Sequence, residues 1–574
     1  MVKSLSLLVF LFFNIALYAQ PFTVYEQSKG LRSATYAQTI DWYHQLDVQY
    51  NTINMQEAGP TDAYYPLHVV YYDKAGKFDV AEWKREGKLI LLINNGIHPG
   101  EPDGIDASMM LMRDAASGKI AMPDNIVLAV IPVFNIGGML NRGSYSRANQ
   151  NGPEQYGFRG SAQNLDLNRD FIKMDAQETQ SLVRLFHKLD PDLFIDNHVS
   201  NGSDYQYIMT LLSTQHSKLG GSMGAYLEQT LEPAMYSDMK KRGYDLVPYV
   251  NHWGHTPDKG WKQFHEGPRF ASGFTALFQT FGFVPETHML KTFRQRTDAT
   301  YALMQSFIGV ASSHAEAIKS ARAADKQGLL NKTTLPIEWR SDTTASKLIT
   351  FNGYEAGYKP SEVSGKPRLY YDRKKPYTKQ VPFYNIYLPA REVAVPQAYI
   401  IPQGWARVIE RLNINGVKMQ RLEHDTTMRL TVYYIDKYET SKGPYEGHYL
   451  HSNVKVNVVK KDIQLTQGDY LISLNQDARR YLVEVLEPNA PDAFFAWGFF
   501  DAILQQKEYY SDYVFEDEAA EILRNNESLR KALAEKRAAD SKFAEDGEAQ
   551  LDFVYRNSPY YEPVHMRYPV FRLD

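Results

Sequence analysis

The hydrophobic positions of the first half of the chain alternate between continuous runs and helically spaced sets. Residues 88–94 and 126–134 are continuous apolar runs, as strands buried on both faces of a parallel sheet require. In residues 103–116 between them, Ile105, Met109 and Met112 recur at helical spacing, and Pro102 suits a first helical turn. We therefore predict two buried strands with a helix between them.

The same alternation continues for another two hundred residues. A helix is predicted over residues 174–189, then a third buried strand at 192–196, a fourth strand at 281–285 and a long helical stretch at 297–325. Strands that alternate with helices predict an α/β domain with a mixed, largely parallel sheet and helices on both faces. In such sheets the functional site lies beyond the carboxyl ends of the strands.

The pattern changes in the second half of the chain. At 574 residues the chain is too long for a single core. After a polar linker at 326–334, residues 335–486 show short alternating runs with turn residues, typical of a β-rich accessory domain. Residues 487–574 are predicted to be a helical segment that packs on the rest. The predicted divisions are thus a catalytic domain at 20–325, the accessory domain at 335–486 and this C-terminal segment.

The N-terminus has the pattern of a secretory signal peptide at residues 1–19. Lys3 precedes an apolar run at 5–17, and Ala19 gives a cleavage point before Gln20. The run is shorter than the roughly 20 apolar residues of a membrane span, although an uncleaved anchor is the alternative. We expect a protein that is exported, periplasmic or secreted, with no stable membrane span after cleavage.

The composition limits the partners and the metal ligands to be expected. A net charge of -4 gives no reason to expect nucleic acid as a partner. The chain has no cysteine, which excludes disulfides, thiolate metal ligands and a cysteine nucleophile. Histidines and carboxylates must therefore bind any metal.

The candidate metal ligands follow two of the predicted strands. His98 and Glu101 come after the run at 88–94, and His198 comes after the run at 192–196. Two histidines and one glutamate, with a fourth position left to water, are the ligands of a catalytic zinc site. A polar loop is the alternative, since the His-x-x-Glu spacing is common by chance. We predict one Zn²⁺ per chain.

Other residues offer the groups that a hydrolase needs. Asn168 and Arg169 place an amide beside a guanidinium, which suits the capture of a carboxylate. A Gly- and Asn-rich loop at 135–160 carries Arg142, Arg147 and Arg159, for each of which surface solvation is the alternative. Glu286 ends the run at 281–285 and could act as a general base.

Taken in chain order, these residues resemble the zinc metallocarboxypeptidases of the carboxypeptidase A type, over residues 36–315. The set is His98-x-x-Glu101, Arg147, Asn168-Arg169, His198 and Glu286. The resemblance implies a zinc carboxypeptidase-like fold and a peptide substrate with a free C-terminus. It also implies a role for each matching residue: His98, Glu101 and His198 as zinc ligands, Glu286 as general base, Asn168 and Arg169 as the pair that binds the terminal carboxylate, and Arg147, or alternatively Arg142, as the group that polarises the scissile carbonyl.

The sequence departs from the family in one respect. The family has a tyrosine about two dozen residues before the general base, but residues 261–270 contain none. A tyrosine from elsewhere, or His265, would have to take its place. Side-chain specificity and oligomeric state are left open.

Three alternatives use the same residues differently. The same zinc site would serve an amidase acting on cell-wall peptides or a deacylase acting on N-acyl amino acids. The fold could instead be a non-catalytic binding protein, although the presence of all three ligands and Glu286 argues against this. A second metal group could form from His252, His255, His265 and Glu266 in a Gly- and Pro-rich loop.

Overall fold

The structure is a computed structural model that describes residues 22–252 and 255–574. The predicted signal peptide at 1–19 lies outside the described residues. Over the part of the chain that is described, no helix combines the length and apolarity needed to cross a bilayer.

The first sheet is built from eight strands. Seven of them are β1 to β7, which span Ile53–Gly59, Leu67–Tyr72, Leu89–Asn94, Ile126–Ile131, Leu193–Asp196, His198–Ser200 and Met209–Ser213. The short strand β8, Trp261–Lys262, belongs to another sheet, and β9, Phe281–His288, completes this one. The strands predicted at 88–94, 126–134, 192–196 and 281–285 correspond to β3, β4, β5 and β9.

The sheet order is β1-β2-β4-β3-β5-β9-β6, with β7 also pairing with β9. β4, β3, β5 and β9 are mutually parallel, and β6 continues from β5 along the same edge of β9. β1, β2 and β7 are antiparallel to their neighbours. Every residue of β3 and β4 is buried, because helices cover both faces. The predicted mixed, largely parallel α/β fold is confirmed.

Among the described residues up to residue 330, twelve α-helices accompany these nine strands. They are α1 to α12, at Val24–Gln27, Tyr36–Gln49, Val80–Arg85, Asp103–Ala116, Ile136–Leu140, Gln177–Leu189, His216–Leu219, Gly221–Tyr226, Glu232–Lys241, Ala271–Ala276, Phe293–Ser313 and Ala315–Leu330. α4 has the bounds that the periodicity predicts. The long helical stretch expected at 297–325 is two helices that meet at His314, and α12 extends into the predicted linker because Leu329 is buried.

Antiparallel strands dominate residues 334–473. β10 to β18 span Thr334–Ser341, Lys347–Pro360, Pro367–Tyr384, Tyr387–Ala394, Ala398–Ile401, Gln420–Arg421, Thr426–Thr440, His451–Leu465 and Tyr470–Ser473, with helix α13 at Ala406–Ile414. β11 and β12 form a long hairpin, and β12 also pairs with β8 of the first half of the chain. β16 and β17 form a second long hairpin, whose connecting segment reaches the functional site described below.

The C-terminal part of the chain contains both helices and a strand. Helices α14 to α18 span Arg479–Leu486, Asp512–Asn525, Glu527–Ala539, Ser541–Glu545 and Gly547–Arg556, and β19, Phe571–Leu573, lies between β14 and β16 in a six-stranded sheet. Residues 494–500 are largely buried, as their apolarity predicts, but they form turns and not the expected helix. Pro488, Pro491 and Gly498, which has a positive φ of 72°, account for this difference.

Candidate metal centre and active site

The turn His98-Pro99-Gly100-Glu101 brings two side chains to one point at the end of β3. The backbone N–H of Glu101 donates to the carbonyl of His98 at 2.8 Å, which closes the turn. A Cβ on Gly100 would lie 2.8 Å from Cδ of Arg147 and 3.0 Å from the carbonyl oxygen of Gly157, so only glycine fits there. The helix α4 starts two residues after Glu101, at Asp103.

His198, the first residue of β6, completes the group. Ligand atoms of His98, Glu101 and His198 all lie within 4.8 Å of one another, and the three side chains are buried. Nδ1 of His198 lies 3.1 Å from Oε2 of Glu101, which also accepts from the backbone N–H of Val199 at 2.8 Å. Within residues 22–252 and 255–574 this is the single group of three such side chains close enough to hold a metal.

A carboxylate contacts Nε2 of each histidine and so orients its ring. Nε2 of His98 lies 2.9 Å from Oδ1 of Asp166, and Nε2 of His198 lies 2.9 Å from Oδ2 of Asp196. Nε2 of His98 also lies 2.6 Å from Nη1 of Arg159. When Nε2 carries the proton and donates it to the carboxylate, the lone pair is on Nδ1, which faces Glu101 in both imidazoles. This is the arrangement that holds a metal-binding imidazole in one tautomer and raises its basicity.

The ionisation of the group follows from its charges. Burial disfavours the charged form of Glu101, but Arg147 and His98 outweigh it and hold the pKa of Glu101 well below its usual range. Burial likewise opposes protonation of His198, but Asp196 and Glu101 hold the pKa of His198 well above its usual range.

The three residues fit a zinc ion. Nδ1 of His98 is buried and makes no hydrogen bond with any described residue, although it lies 3.2 Å from Oε1 of Glu101. A buried imidazole nitrogen without a hydrogen-bond partner is costly unless another group takes its lone pair. Two imidazole nitrogens and one carboxylate are donors that zinc prefers.

Glu286 lies beside this group. It is directly opposite His198 in the pairing of β6 with β9, and its side chain is only partly exposed. Burial raises the pKa of Glu286 to about 8, and the nearby carboxylates Glu101 and Glu266 act in the same direction. Its carboxyl group is therefore suited to take up and release a proton near neutral pH.

Asn168 and Arg169 are tied to the metal group through Asp166. The three residues belong to one short turn, in which Oδ1 of Asp166 accepts from the backbone N–H of Asn168 at 2.9 Å. Oδ1 of Asn168 is buried without a hydrogen-bond partner among the described residues. The guanidinium of Arg169 is stacked over the ring of Phe270, with Cζ 4.2 Å from the ring centroid.

The three arginines of the loop at 135–160 are placed differently. Arg142 is not brought to the group: it donates to the carbonyls of Ser33 and Ala34, at 2.8 and 3.2 Å. Arg147 contacts Oε1 of Glu101 through Nη2 and donates from Nε to the carbonyl of Gly100 at 3.0 Å. Arg159 lies 3.0 Å from Oδ2 of Asp166 and 3.4 Å from Oε1 of Glu101, and 48% of its side chain is exposed against 18% for Arg147.

Two residues at the site, Asp166 and Tyr249, were not singled out from the sequence, and Glu266 was considered only for the second metal group. Asp166 could have been found, because it stands two residues before Asn168. Glu266 is buried, accepts from the N–H and hydroxyl of Ser272, and has a pKa raised by burial. Tyr249 lies on the strand edge next to Leu211, and burial followed by the charge of Glu286 raises its pKa.

The second metal group considered from the sequence does not form in the described part of the chain. The rings of His252 and His255 lie 6.1 Å apart, whereas His265 packs on Tyr387 at 4.9 Å and Glu266 is bound to Ser272. Burial lowers the pKa of His265 to about 3, which keeps its imidazole neutral.

The fold and the site together define a class of protein, a carboxypeptidase-like metallohydrolase. The chain is 21% identical over 429 residues to Carboxypeptidase 2 of Trichophyton tonsurans, which covers 72% of this chain and 74% of that protein, and equally similar to Carboxypeptidase 2 of Trichophyton rubrum. No family model matches the chain. The resemblance to carboxypeptidases predicted from the sequence is confirmed by these relatives.

Solved structures were also found to be similar to the chain. The metallo-carboxypeptidase from Burkholderia cenocepacia is 12% identical and covers 49% of this chain and 70% of that chain, with a TM-score of 0.36. Carboxypeptidase A from Helicoverpa armigera is 13% identical and covers 49% of this chain and 74% of that chain, with a TM-score of 0.37.

Proposed function

We propose that the protein is an exported zinc metallocarboxypeptidase that removes C-terminal residues from peptides. One observation carries the proposal: His98, Glu101 and His198 converge, each histidine has a carboxylate behind it, and Glu286 lies next to His198 in the neighbouring strand. The carboxypeptidase relatives support the same class of reaction. Export rests on the sequence pattern of residues 1–19 alone.

His98, Glu101 and His198 would hold one zinc ion per chain. A bound zinc ion supplies Lewis-acid activation of water and of the scissile carbonyl at neutral pH. The chain's own contribution begins with Asp166 and Asp196, which fix the two imidazoles so that Nδ1 faces the ligand position. Arg147 keeps Glu101 ionised, as a metal-binding carboxylate must be.

Glu286 would act as general base and then as general acid. Its carboxylate takes a proton from the attacking water and passes it to the leaving amine, so the group must exchange one proton in each turnover. A pKa raised by burial matches this requirement better than that of an exposed glutamate.

Asn168 and Arg169 would bind the terminal carboxylate of the substrate, and this contact selects exopeptidase action. Either Arg147 or Arg159 would polarise the scissile carbonyl. Both guanidinium groups contact Glu101, and the greater exposure of the Arg159 side chain, 48% against 18%, favours Arg159.

The test compares peptides that end in a free carboxylate with the same peptides ending in an amide. The parent protein should hydrolyse the free acids and leave the amides nearly untouched. Arg169→Ala should lower kcat/KM for the free acids by about 100-fold, since it removes a charged two-point contact. Equal hydrolysis of acids and amides by the parent protein would contradict the proposal.

A further inference from the structure

The tip of the hairpin β16–β17 reaches the candidate active site from the accessory region. Tyr445 and His448 exchange backbone hydrogen bonds of 2.7 and 3.0 Å, and Glu446 and Gly447 between them both have positive φ, 48° and 80°. Two residues with positive φ form a type I′ turn, in which Asn or Asp followed by Gly is usual. Glutamate is an unusual residue at the first central position of such a turn.

Three polar contacts join the tip to the segment that carries Asn168 and Arg169. The hydroxyl of Tyr445 accepts from Nε of Arg169 at 3.0 Å. Oε2 of Glu446 accepts from the backbone N–H of Asp166 at 2.7 Å, and Nε2 of His448 lies 2.6 Å from Oδ2 of Asp175. Glu446 also lines a cavity of about 300 Å³ together with His98, Arg147 and Arg159. The tip therefore forms one wall of the site.

The ring of Tyr445 is held in place by two neighbouring side chains, Trp497 and Arg269. It stacks on buried Trp497, with ring centroids 6.2 Å apart and an interplanar angle of 27°. The guanidinium of Arg269 lies 5.6 Å from the Tyr445 centroid and 4.7 Å from that of Trp497, and it is fixed by an ion pair of 2.6 Å with Asp492. These contacts fix the hydroxyl of Tyr445 before any substrate arrives.

The hydrogen bonds of Arg169 leave one edge of its guanidinium uncommitted. Nε donates to Tyr445, and Nη1 donates to the carbonyl of Asn168 at 2.8 Å. Nη2, on the same side of the guanidinium as Nε–H, makes no hydrogen bond to the described residues and can donate to a carboxylate. The hydroxyl of Tyr445 accepts from Nε of Arg169, and its own proton has no acceptor within residues 22–252 and 255–574.

We propose that Tyr445 binds the terminal carboxylate of the peptide substrate together with Arg169, so that the accessory region supplies part of the substrate site. Its hydroxyl accepts from Nε of Arg169 and donates its proton to a carboxylate oxygen that accepts from the neighbouring Nη2. This inference rests on the proposed carboxypeptidase function. It assigns the hairpin tip a direct role in recognising a free C-terminus.

The test uses Tyr445→Phe, which removes the hydroxyl and keeps the ring packed against Trp497 and Arg269. Tyr449→Phe is the matched control, because Tyr449 lies in the same tip and is 54% exposed. Steady-state kinetics are measured on the free-acid peptide that the parent protein hydrolyses best. Calorimetry then measures the binding of the amino acid released from that peptide and, for comparison, the binding of the amide of the same amino acid. Arg169→Ala is measured in parallel, and thermal unfolding verifies that each variant is folded.

For Tyr445→Phe, KM should rise about tenfold with kcat within twofold of the parent, since one hydrogen bond to a charged group is lost. Binding of the released amino acid should weaken by about the same factor, and binding of its amide should be unchanged. Tyr449→Phe should match the parent. If Arg169→Ala selectively weakens free acids while Tyr445→Phe matches the parent, the role of Tyr445 is refuted and the function stands. If Arg169→Ala has no selective effect, both fail.

Discussion

Nε2 of His98 lies 2.9 Å from Oδ1 of Asp166, a residue 68 positions further along the chain. Through this contact the segment that carries Asn168 and Arg169 is attached directly to a candidate metal ligand. The same carboxylate receives the backbone N–H of Asn168 and faces Arg159, so one aspartate fixes the imidazole, the turn and a cation at once. Metal binding and recognition of the substrate's carboxylate are therefore structurally coupled.

Asp166→Asn should weaken zinc binding. The amide keeps an oxygen for Asn168 but loses the charge that holds His98 in its metal-binding tautomer, and loss of such a partner lowers metal affinity about 10- to 100-fold. The measurement is the zinc dissociation constant, obtained by competition with a chelator. Asp245→Asn, on the exposed surface, should leave that constant unchanged. An unaltered constant for Asp166→Asn would show that the contact does not support the metal.

Arg159→Ala should lower kcat more than Arg147→Ala does. Arg159 has the more exposed guanidinium, and removal of one donor to a developing oxyanion typically costs about 100-fold or more in kcat. Arg142→Lys is the control, since Arg142 contacts Ser33 and Ala34, and kcat should be retained. A larger loss of kcat in Arg147→Ala would assign the polarising role to Arg147, as the sequence first indicated.

Asp106 should make the stability of the protein dependent on pH. Its side chain is fully buried, and burial raises its pKa to about 8, against about 3.9 in an unfolded chain. Between these two values the folded state holds the proton and the unfolded state does not, so stability falls as pH rises from about 4 to about 8. Asp106→Asn keeps an oxygen for the N–H of Ala34 and removes this dependence.

The measurement for Asp106 is the thermal midpoint of both proteins at pH 5 to 9. The midpoint of Asp106→Asn minus that of the parent should increase with pH and level off above about pH 8. Glu316→Gln, at an exposed position, is the control and should run parallel to the parent. A constant difference at all pH values would show that Asp106 ionises freely in the folded protein.

The sequence predicted those parts of the site that lie at the ends of regular elements. Each of His98, His198 and Glu286 follows or lies within a run of apolar residues that forms a strand. In an α/β fold the carboxyl ends of the parallel strands meet at one edge of the sheet, so these residues are expected there. α4 was predicted with its observed bounds because its apolar residues are strictly periodic. Glu101 followed from its spacing to His98.

The remaining parts of the site depend on packing between residues far apart in the chain, which the hydrophobic pattern does not predict. The loop at 135–160 has no repeating pattern, so its three arginines could not be ranked, and Arg142 packs against residues 33 and 34 instead of the site. Tyr445 meets Arg169 across 276 positions, through a hairpin whose direction is set by the tertiary structure. The break at His314 and the turns at 494–500 likewise reflect local packing and chain-breaking residues.

The most direct test of the account is mass-spectrometric analysis of the products from a mixed peptide library, using the parent protein, the parent protein with a chelator, and Glu286→Gln. We expect the parent to release single residues from free C-termini, the chelator to abolish this release, and added zinc to restore it. Glu286→Gln should retain one zinc per chain and lose at least about 100-fold in rate, because it cannot transfer the proton. Cleavage within the peptides, release that persists with the chelator, or a fully active Glu286→Gln would contradict the account.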